Sequence, residues 1–396
     1  MDRPSPHAVL RSAAPTVRSA ASALRSAASA LRSVAPALRS AVVVAVALAI
    51  AVAPARAHVD YVTPGGDPVA ALGFLLDLLR DPVNLALLAG GALAVGAALW
   101  GYYRVRPLRH DVAVWRAALA SYDDLLPWML RLSVGLPLVG AGFSGYLFSP
   151  AVEPGAPAVV RLFGVSVGFL LLFGLASRAV AAVGLLGYLV ALVVDPTVAL
   201  AFEFVPGLLG IVLLGAGRPS ADHVLTSLAE DGRTAYARID PIYRDVTLPF
   251  RRRIEPYRTY VPTILRVGVG VAFCYLGITQ KLLAPGPALA VVEKYQLTRV
   301  VPVEPAMWVV GAGLAEFLVG LLLVVGLATR GAASVAFLLL TTTLFGLPDD
   351  PVLAHVSLFG LVSALLVTGA GPLSLDARLA GETVPVGDDD RASPAD

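Results

Sequence analysis

A lysine, a glutamate and a histidine stand inside apolar runs in the second half of this chain, at Lys281, Glu316 and His355. Glu316 lies about ten residues from either end of the run Ala306–Leu327. A charged side chain at the centre of a hydrocarbon core costs on the order of 3 kcal/mol on insertion scales, so such a residue faces a protein interior and marks a proton, ion or substrate site by default. Lys281 sits near the outer end of its run and His355 near the start of the last one, with Tyr275 and Gln280 as further hydrogen-bonding groups. If the elements converge, the chemistry on offer is proton transfer and hydrogen bonding to a small polar group held out of water. Each residue also has a plainer reading. Glu316 serves equally as a neutral acid bonding the next helix, Lys281 as a snorkelling cation, and His355 as a hydrogen-bonded helix partner.

What must position them is a membrane fold. The chain is 57% hydrophobic and 15% charged, with mean hydropathy +0.77. Apolar runs near 20 residues long recur, each able to cross a core of about 30 Å as a helix. Nine spans are predicted: Pro82–Tyr103, Leu126–Phe148, Val159–Ala176, Ala179–Val194, Val198–Ala216, Pro262–Leu283, Ala306–Leu327, Ala332–Leu347 and Val352–Thr368. Ahead of them, Arg11, Arg18, Arg25, Arg32 and Arg39 recur every seven residues, each followed by Ser. The short apolar run Ala41–Ala53 and Ala55-Arg56-Ala57 then complete the pattern of a signal peptide, with an uncleaved anchor as the alternative. Cleavage after Ala57 would leave His58 at the mature terminus, its amine and imidazole beginning a Cu(II) site with no further ligands in view. The lone Cys274 excludes an internal disulfide and any cysteine-based metal or cluster site. A net charge of +2 gives no footprint for a nucleic-acid partner.

Eight of the spans fall into two related groups of four. Leu130–Pro150 aligns without gaps on Leu265–Pro285 with seven identities in 21 positions, among them Arg131/Arg266, Gly135/Gly270, Gly142/Gly277 and Pro150/Pro285. GLASR at Gly174–Arg178 matches GLATR at Gly326–Arg330, Asp195-Pro196 matches Asp350-Pro351, and GAGRPSAD at Gly215–Asp222 matches GAGPLSLD at Gly369–Asp376. The order of these polar landmarks indicates a tandem duplication. Lys281, Glu316 and His355 have no like counterpart, since Tyr146 and approximately Gly164 and Leu200 stand in their places. Arg131 and Arg266 are kept in both groups and read as interfacial anchors or partners of Asp222 and Asp376, while Glu203 on its own suggests little. Four spans return a chain to its starting side, so the repeats are parallel. Arg104, Arg106, Arg109 and Arg116, the arginine-rich connector Arg218–Val261, Arg178 and Arg330 all fall on one side, which the positive-inside bias makes cytoplasmic; Arg80, Lys294 and Arg299 run against it.

The stretch Pro262–Asp376, with its opening LRVGVGVAFCYLGITQKLLAP, its mid-run Glu316, its Gly326–Arg330 turn, its His355 and its closing GAGPLSLDARL, resembles the DoxX family of four-helix membrane proteins. The resulting expectation is an all-α polytopic membrane protein. It comprises a signal peptide or anchor (1–57), an extracytoplasmic segment with one span and a basic loop (58–125), and a first DoxX-like repeat (126–222). A basic connector (223–261), a second repeat (262–379) and an acidic tail (380–396) follow. The mature N-terminus is then extracytoplasmic and the C-terminus cytoplasmic. The resemblance implies a redox-associated subunit of the thiosulfate:quinone oxidoreductase kind, working with a soluble or membrane redox partner and a quinone. Glu316 and His355 then act as proton-handling residues, and Lys281, Tyr275 and Gln280 hold the quinone. The alternative is a non-enzymatic scaffold or small-molecule carrier. The two separate on whether Glu316 faces its own bundle or the other one.

Overall fold

The computed structural model of the protein describes residues 69–105, 107–152, 155–239, 243–348 and 352–380. The signal or anchor segment, His58, Arg106, Asp350 and the acidic tail lie outside the described residues. Three helices lead in: α1 (Ala71–Arg80), α2 (Pro82–Val105) and α3 (Arg109–Ala120). The first bundle is α4 (Leu126–Ser144), α5 (Pro157–Phe173), α6 (Ser177–Val194) and α7 (Phe204–Leu214). The connector holds α8 (Ala221–Glu230), α9 (Ala235–Ile239) and α10 (Leu248–Ile254). The second bundle is α11 (Val261–Gly277), α13 (Pro305–Val325), α14 (Thr329–Gly346) and α15 (Val352–Thr368), with α12 (Pro285–Lys294) inserted after α11 and α16 (Leu375–Ala380) at the end.

The protein is therefore an all-α, multi-pass membrane protein. Among the described residues five helical stretches are long and apolar enough to cross a bilayer, and α5, α7 and most of α15 are shorter apolar helices. The expected span Val198–Ala216 is not one helix. Asp195 accepts from Thr197 N and starts a 3-10 stretch over Pro196–Ala201; α7 then begins afresh at Phe204. Pro206 has no amide hydrogen to continue a helix back to Phe202. In each bundle the four helices close a ring, α4–α5–α6–α7 and α11–α13–α14–α15, and between the bundles α4 packs on α15 and α7 on α11.

Glycines set the closest crossings. A Cβ on Gly320 would lie 2.7 Å from the backbone nitrogen of Cys274 and would overlap Gly270 O, while in the first bundle a Cβ on Gly168 would lie 2.8 Å from Gly135 O. Small residues are what let membrane helices approach this far. Gly320→Ala is accordingly expected to force α11 and α13 apart and cost about 1–3 kcal/mol, the range for overpacking a tight core. Thermal unfolding in detergent measures this, with Gly311→Ala, where a Cβ meets nothing within 4 Å, as the silent control.

The arginine-bearing ends of the two bundles carry the same hydrogen bonds. Asp222 accepts from Ala176 N and Ser177 N, and Asp376 accepts from Ala328 N and Thr329 N, each carboxylate capping the helix that follows its turn. Arg178 donates to Val212 O, Leu213 O and Leu214 O, and Arg330 to Leu366 O and Val367 O, satisfying the last carbonyls of α7 and α15. Arg131 and Arg266 are buried and donate to Pro219 O and Leu373 O at matching places in the two closing loops. The expected pairing of these arginines with Asp222 and Asp376 is therefore corrected: their hydrogen-bond partners are backbone carbonyls, and the carboxylates are taken up by backbone amides.

Candidate functional site

Beyond Gly277 the helix α11 widens into a π turn, Ile278–Leu282, which carries Gln280 and Lys281. Such turns recur at functional sites because they re-aim side chains without ending the helix. Lys281 Nζ donates to Glu316 Oε2 across to α13 at 2.8 Å, and each side chain keeps 22% exposure. The pair therefore borders open space. That space is a cavity of about 260 Å³ whose wall includes Gln280, Lys281, Glu316 and His355, with Phe273 and Trp308 as aromatic surfaces. Every residue lining it belongs to α11–α15 and the turns between them; none comes from the first bundle.

Four of the five residues singled out in the sequence thus meet at one cavity. Gln280 and His355 are buried in its wall. Tyr275 does not join them: it sits on the opposite side of α11, packed against Ala199 and Leu200 of the first bundle, and its buried hydroxyl has no hydrogen-bond partner among the described residues. Periodicity explains the miss. Residues 273, 276 and 280 share a helical face, and 275 falls off it.

Other wall residues went unread in the sequence. Trp308 donates Nε1–H to Leu297 O at 3.2 Å and lines the cavity from α13. Thr342 and Thr343 line the far wall with their hydroxyls bonded to Leu339 O, both at 2.9 Å. The triple threonine 341–343 inside an apolar run was the available signal. The helix α12, which lies between two of the spans read from the sequence, supplies Ala288, Val291 and Val292. Glu203 also deserved more weight. It is buried at 4% exposure, and Ser357 of the second bundle donates to its Oε1 at 3.0 Å.

The cavity exists where one helix crossing has changed. In the first bundle Gly142 of α4 meets Gly164 of α5 so closely that a Cβ on Gly164 would lie 3.1 Å from Gly142 Cα. In the second, Gly277 occupies the place of Gly142, and a Cβ there would lie 3.2 Å from Cβ of Glu316. A charged side chain therefore stands at the crossing where the first bundle has two glycines. The first bundle has its own cavity, about 330 Å³, but its lining is apolar apart from Asp195, whose carboxylate is bonded to Thr197.

A family model described as DoxX matches residues 261–349, from the first residue of α11 through the end of α14. Lys281, Glu316, Tyr275 and Gln280 lie inside the match, and His355 lies beyond it. No curated protein and no solved structure matches the chain. The bundle that holds the Lys281–Glu316 cavity is thus the part of this membrane protein that carries a DoxX domain.

Proposed function

We propose that the second bundle binds a quinone head group and that the protein serves as a quinone-linked, redox-associated membrane subunit. One observation carries this reading: an ion pair, Lys281–Glu316, borders an apolar cavity walled by its own bundle, with His355 and Gln280 buried beside it. At about 260 Å³ the cavity lies just below the roughly 300–1,000 Å³ of pockets for drug-sized ligands, which suits a single-ring head group rather than a larger guest. Its donor set suits a quinone, which has two carbonyl acceptors on a flat apolar body. A bound quinone supplies a two-electron, two-proton acceptor. The residues would handle its oxygens and protons: Lys281 would donate a hydrogen bond to one carbonyl oxygen and His355 to the other, and Glu316, once released from Lys281, would take up protons from water and pass them one after the other to the two oxygens of the reduced ring. Electrons enter from a redox partner or directly from a reduced sulfur substrate, as the family resemblance suggests. The arginine-bearing end of both bundles is the cytoplasmic one in this reading, following the positive-inside bias.

A carrier or scaffold built of two like bundles is the alternative, and it would turn Glu316 toward the other bundle. Glu316 lining its own bundle's cavity favours the quinone reading. The test is quinone content and turnover of the purified, detergent-solubilised protein beside Glu316→Gln and Lys281→Ala. Expected is quinone bound to the wild type and at least tenfold less in either variant, with unfolding midpoints showing both variants folded. Wild-type protein without quinone, and without turnover from any sulfur donor, would sink the proposal.

A further inference from the structure

The cavity beside Lys281 and Glu316 has a roofed end and an open side. Its roof is α12. The corresponding link of the first bundle, residues 145–156, is less than half as long as residues 278–304 and carries no helix among its described residues. Ala288, Val291 and Val292 of α12 are buried in the cavity wall; Ala288 and Val292 pack with Val309 of α13, and Phe74 of α1 lies against the same cluster. Leu289 of α12 lines a separate pocket, with Asp77, Asp81 and Glu304. One apolar helix thus stands between an acidic pocket and the cavity, at the end of the bundle away from Arg266 and Arg330.

The open side lies between α13 and α14. Of the residues lining the cavity only Thr342 and Gly346 are exposed, and a Cβ on Gly346 would meet nothing within 4 Å. Phe337 of α14 rests edge-on against Phe359 of α15, with 5.2 Å between ring centroids. At 100° per residue Thr342 and Gly346 stand about 140° and 180° around the helix from it. They line the cavity yet face away from α15, so they form the edge next to α13. Opposite them α13 presents Ala312 and Glu316, both half-buried. Counted at 1.5 Å per residue from the turn between the two helices, Glu316 and Ala312 lie about 14 and 20 Å deep, and Thr342 and Gly346 about 20 and 26 Å. A hydrocarbon core is about 30 Å thick, so the opening faces lipid tails and not water. Thr342 bonds its hydroxyl to Leu339 O on its own helix, which leaves that rim apolar.

Given a quinone head group at Lys281 and Glu316, on which the inference rests, we propose that the guest is an isoprenoid quinone that enters and leaves sideways, from the half of the bilayer away from the arginines. Its head passes between Ala312 and Thr342, and its tail lies out between α13 and α14. A tail that is apolar along its length loses nothing by staying in lipid while the head moves inward. The helix α12 has the complementary role of covering the end of the cavity, so that the lateral opening is the route by which a ring-sized guest arrives. Gly346 sets the width of that opening, since it is the exposed lining residue without a side chain.

Photo-labelling of the full-length protein in detergent tests this, with two-isoprene ubiquinone and menaquinone that each carry a diazirine at the end of the tail. Labelled residues are mapped by mass spectrometry. Label is expected at the opening, on Ala312, Leu338, Thr342 or Phe345, and at least tenfold weaker in Glu316→Gln and in Gly346→Trp. Gly346→Trp fills the opening, and its unfolding midpoint should match the wild type because the new side chain starts in open space; Gly346→Leu is the smaller filler should tryptophan disturb the fold. Label on α12 or α1, or undiminished label in a folded Gly346 variant, would overturn the sideways route and leave the quinone reading standing. Label that Glu316→Gln reduces nowhere on the chain would overturn both.

Discussion

Arg266→Ala is expected to destabilise the protein more than any other single side-chain truncation described here, by on the order of 5 kcal/mol, because hydrogen bonds from a charged donor contribute about 1.5–3 kcal/mol each. Its buried guanidinium ties four carbonyls from two segments: Ala370 O and Leu373 O in the closing loop, and Leu323 O and Val324 O at the end of α13. Truncation removes the side-chain donor from Ala370 O, Val324 O and Leu373 O, while Leu323 O keeps the Gly326 amide. Arg266→Lys should recover little, since an ammonium cannot reach four carbonyls in a fixed plane. Arg131→Ala should cost clearly less, because its one hydrogen bond goes to Pro219 O and its Nε and Nη1 are buried without partners. Thermal unfolding of the three variants in one detergent checks the order. Equal losses for Arg131→Ala and Arg266→Ala would mean the carbonyl contacts are not what holds this end together.

The second large effect concerns the ion pair itself. Lys281→Met leaves Glu316 facing an apolar wall without its cation, and the expected loss is about 2 kcal/mol, below the 3–5 kcal/mol of a fully buried pair because each partner keeps 22% exposure. Lys281→Met/Glu316→Met removes both charges, and its stability should return to the wild-type value or exceed it. Ligand retention should stay lost in the double variant. That separation of stability from binding marks a pair kept for function. If the double variant is as unstable as Lys281→Met, the pair is holding the bundle, and its value lies in the fold.

Much of this was legible in the chain, and the reasons differ by residue. The spans could be read because apolar length maps directly onto membrane thickness, and Glu316 because a lone acid in mid-run has to face a protein interior. The polar landmarks around Arg178 and Arg330, Asp222 and Asp376 were legible as a pattern, while their chemistry was not. Sequence placed Arg131 and Arg266 at one end with Asp222 and Asp376, to be read as interfacial anchors or as partners of those aspartates. The structure instead gives the aspartates to the backbone amides that start α6 and α14, and Arg266 to the last carbonyls of α13, because four carbonyls or four amides at every helix end lack partners and must find them. Tyr275 failed because one residue's offset turns a helical side chain by 100°. Helix α12 went unread because ten residues beginning with Pro-Gly-Pro carry too little periodic signal to separate a helix from a loop.

Glu203 and Ser357 occupy equivalent positions of the two bundles, and they touch. Gly207 and Leu361 stand one turn further along the same helices, also equivalent, and a Cβ on Gly207 would come within 3.5 Å of the Leu361 side chain. Counted back from the closing turns at Gly215 and Gly369 these pairs match, and together with the reciprocal packing of α4 on α15 and α7 on α11 they lie where a two-fold axis relating two copies of one unit would run. A homodimer of either half alone would have to place the same side chain on both sides of it. Two copies of the first half would set carboxylate against carboxylate in an apolar interior, and two copies of the second would set serine against serine. Linking both halves in one polypeptide removes that constraint, and an acid can then face the hydroxyl that donates to it.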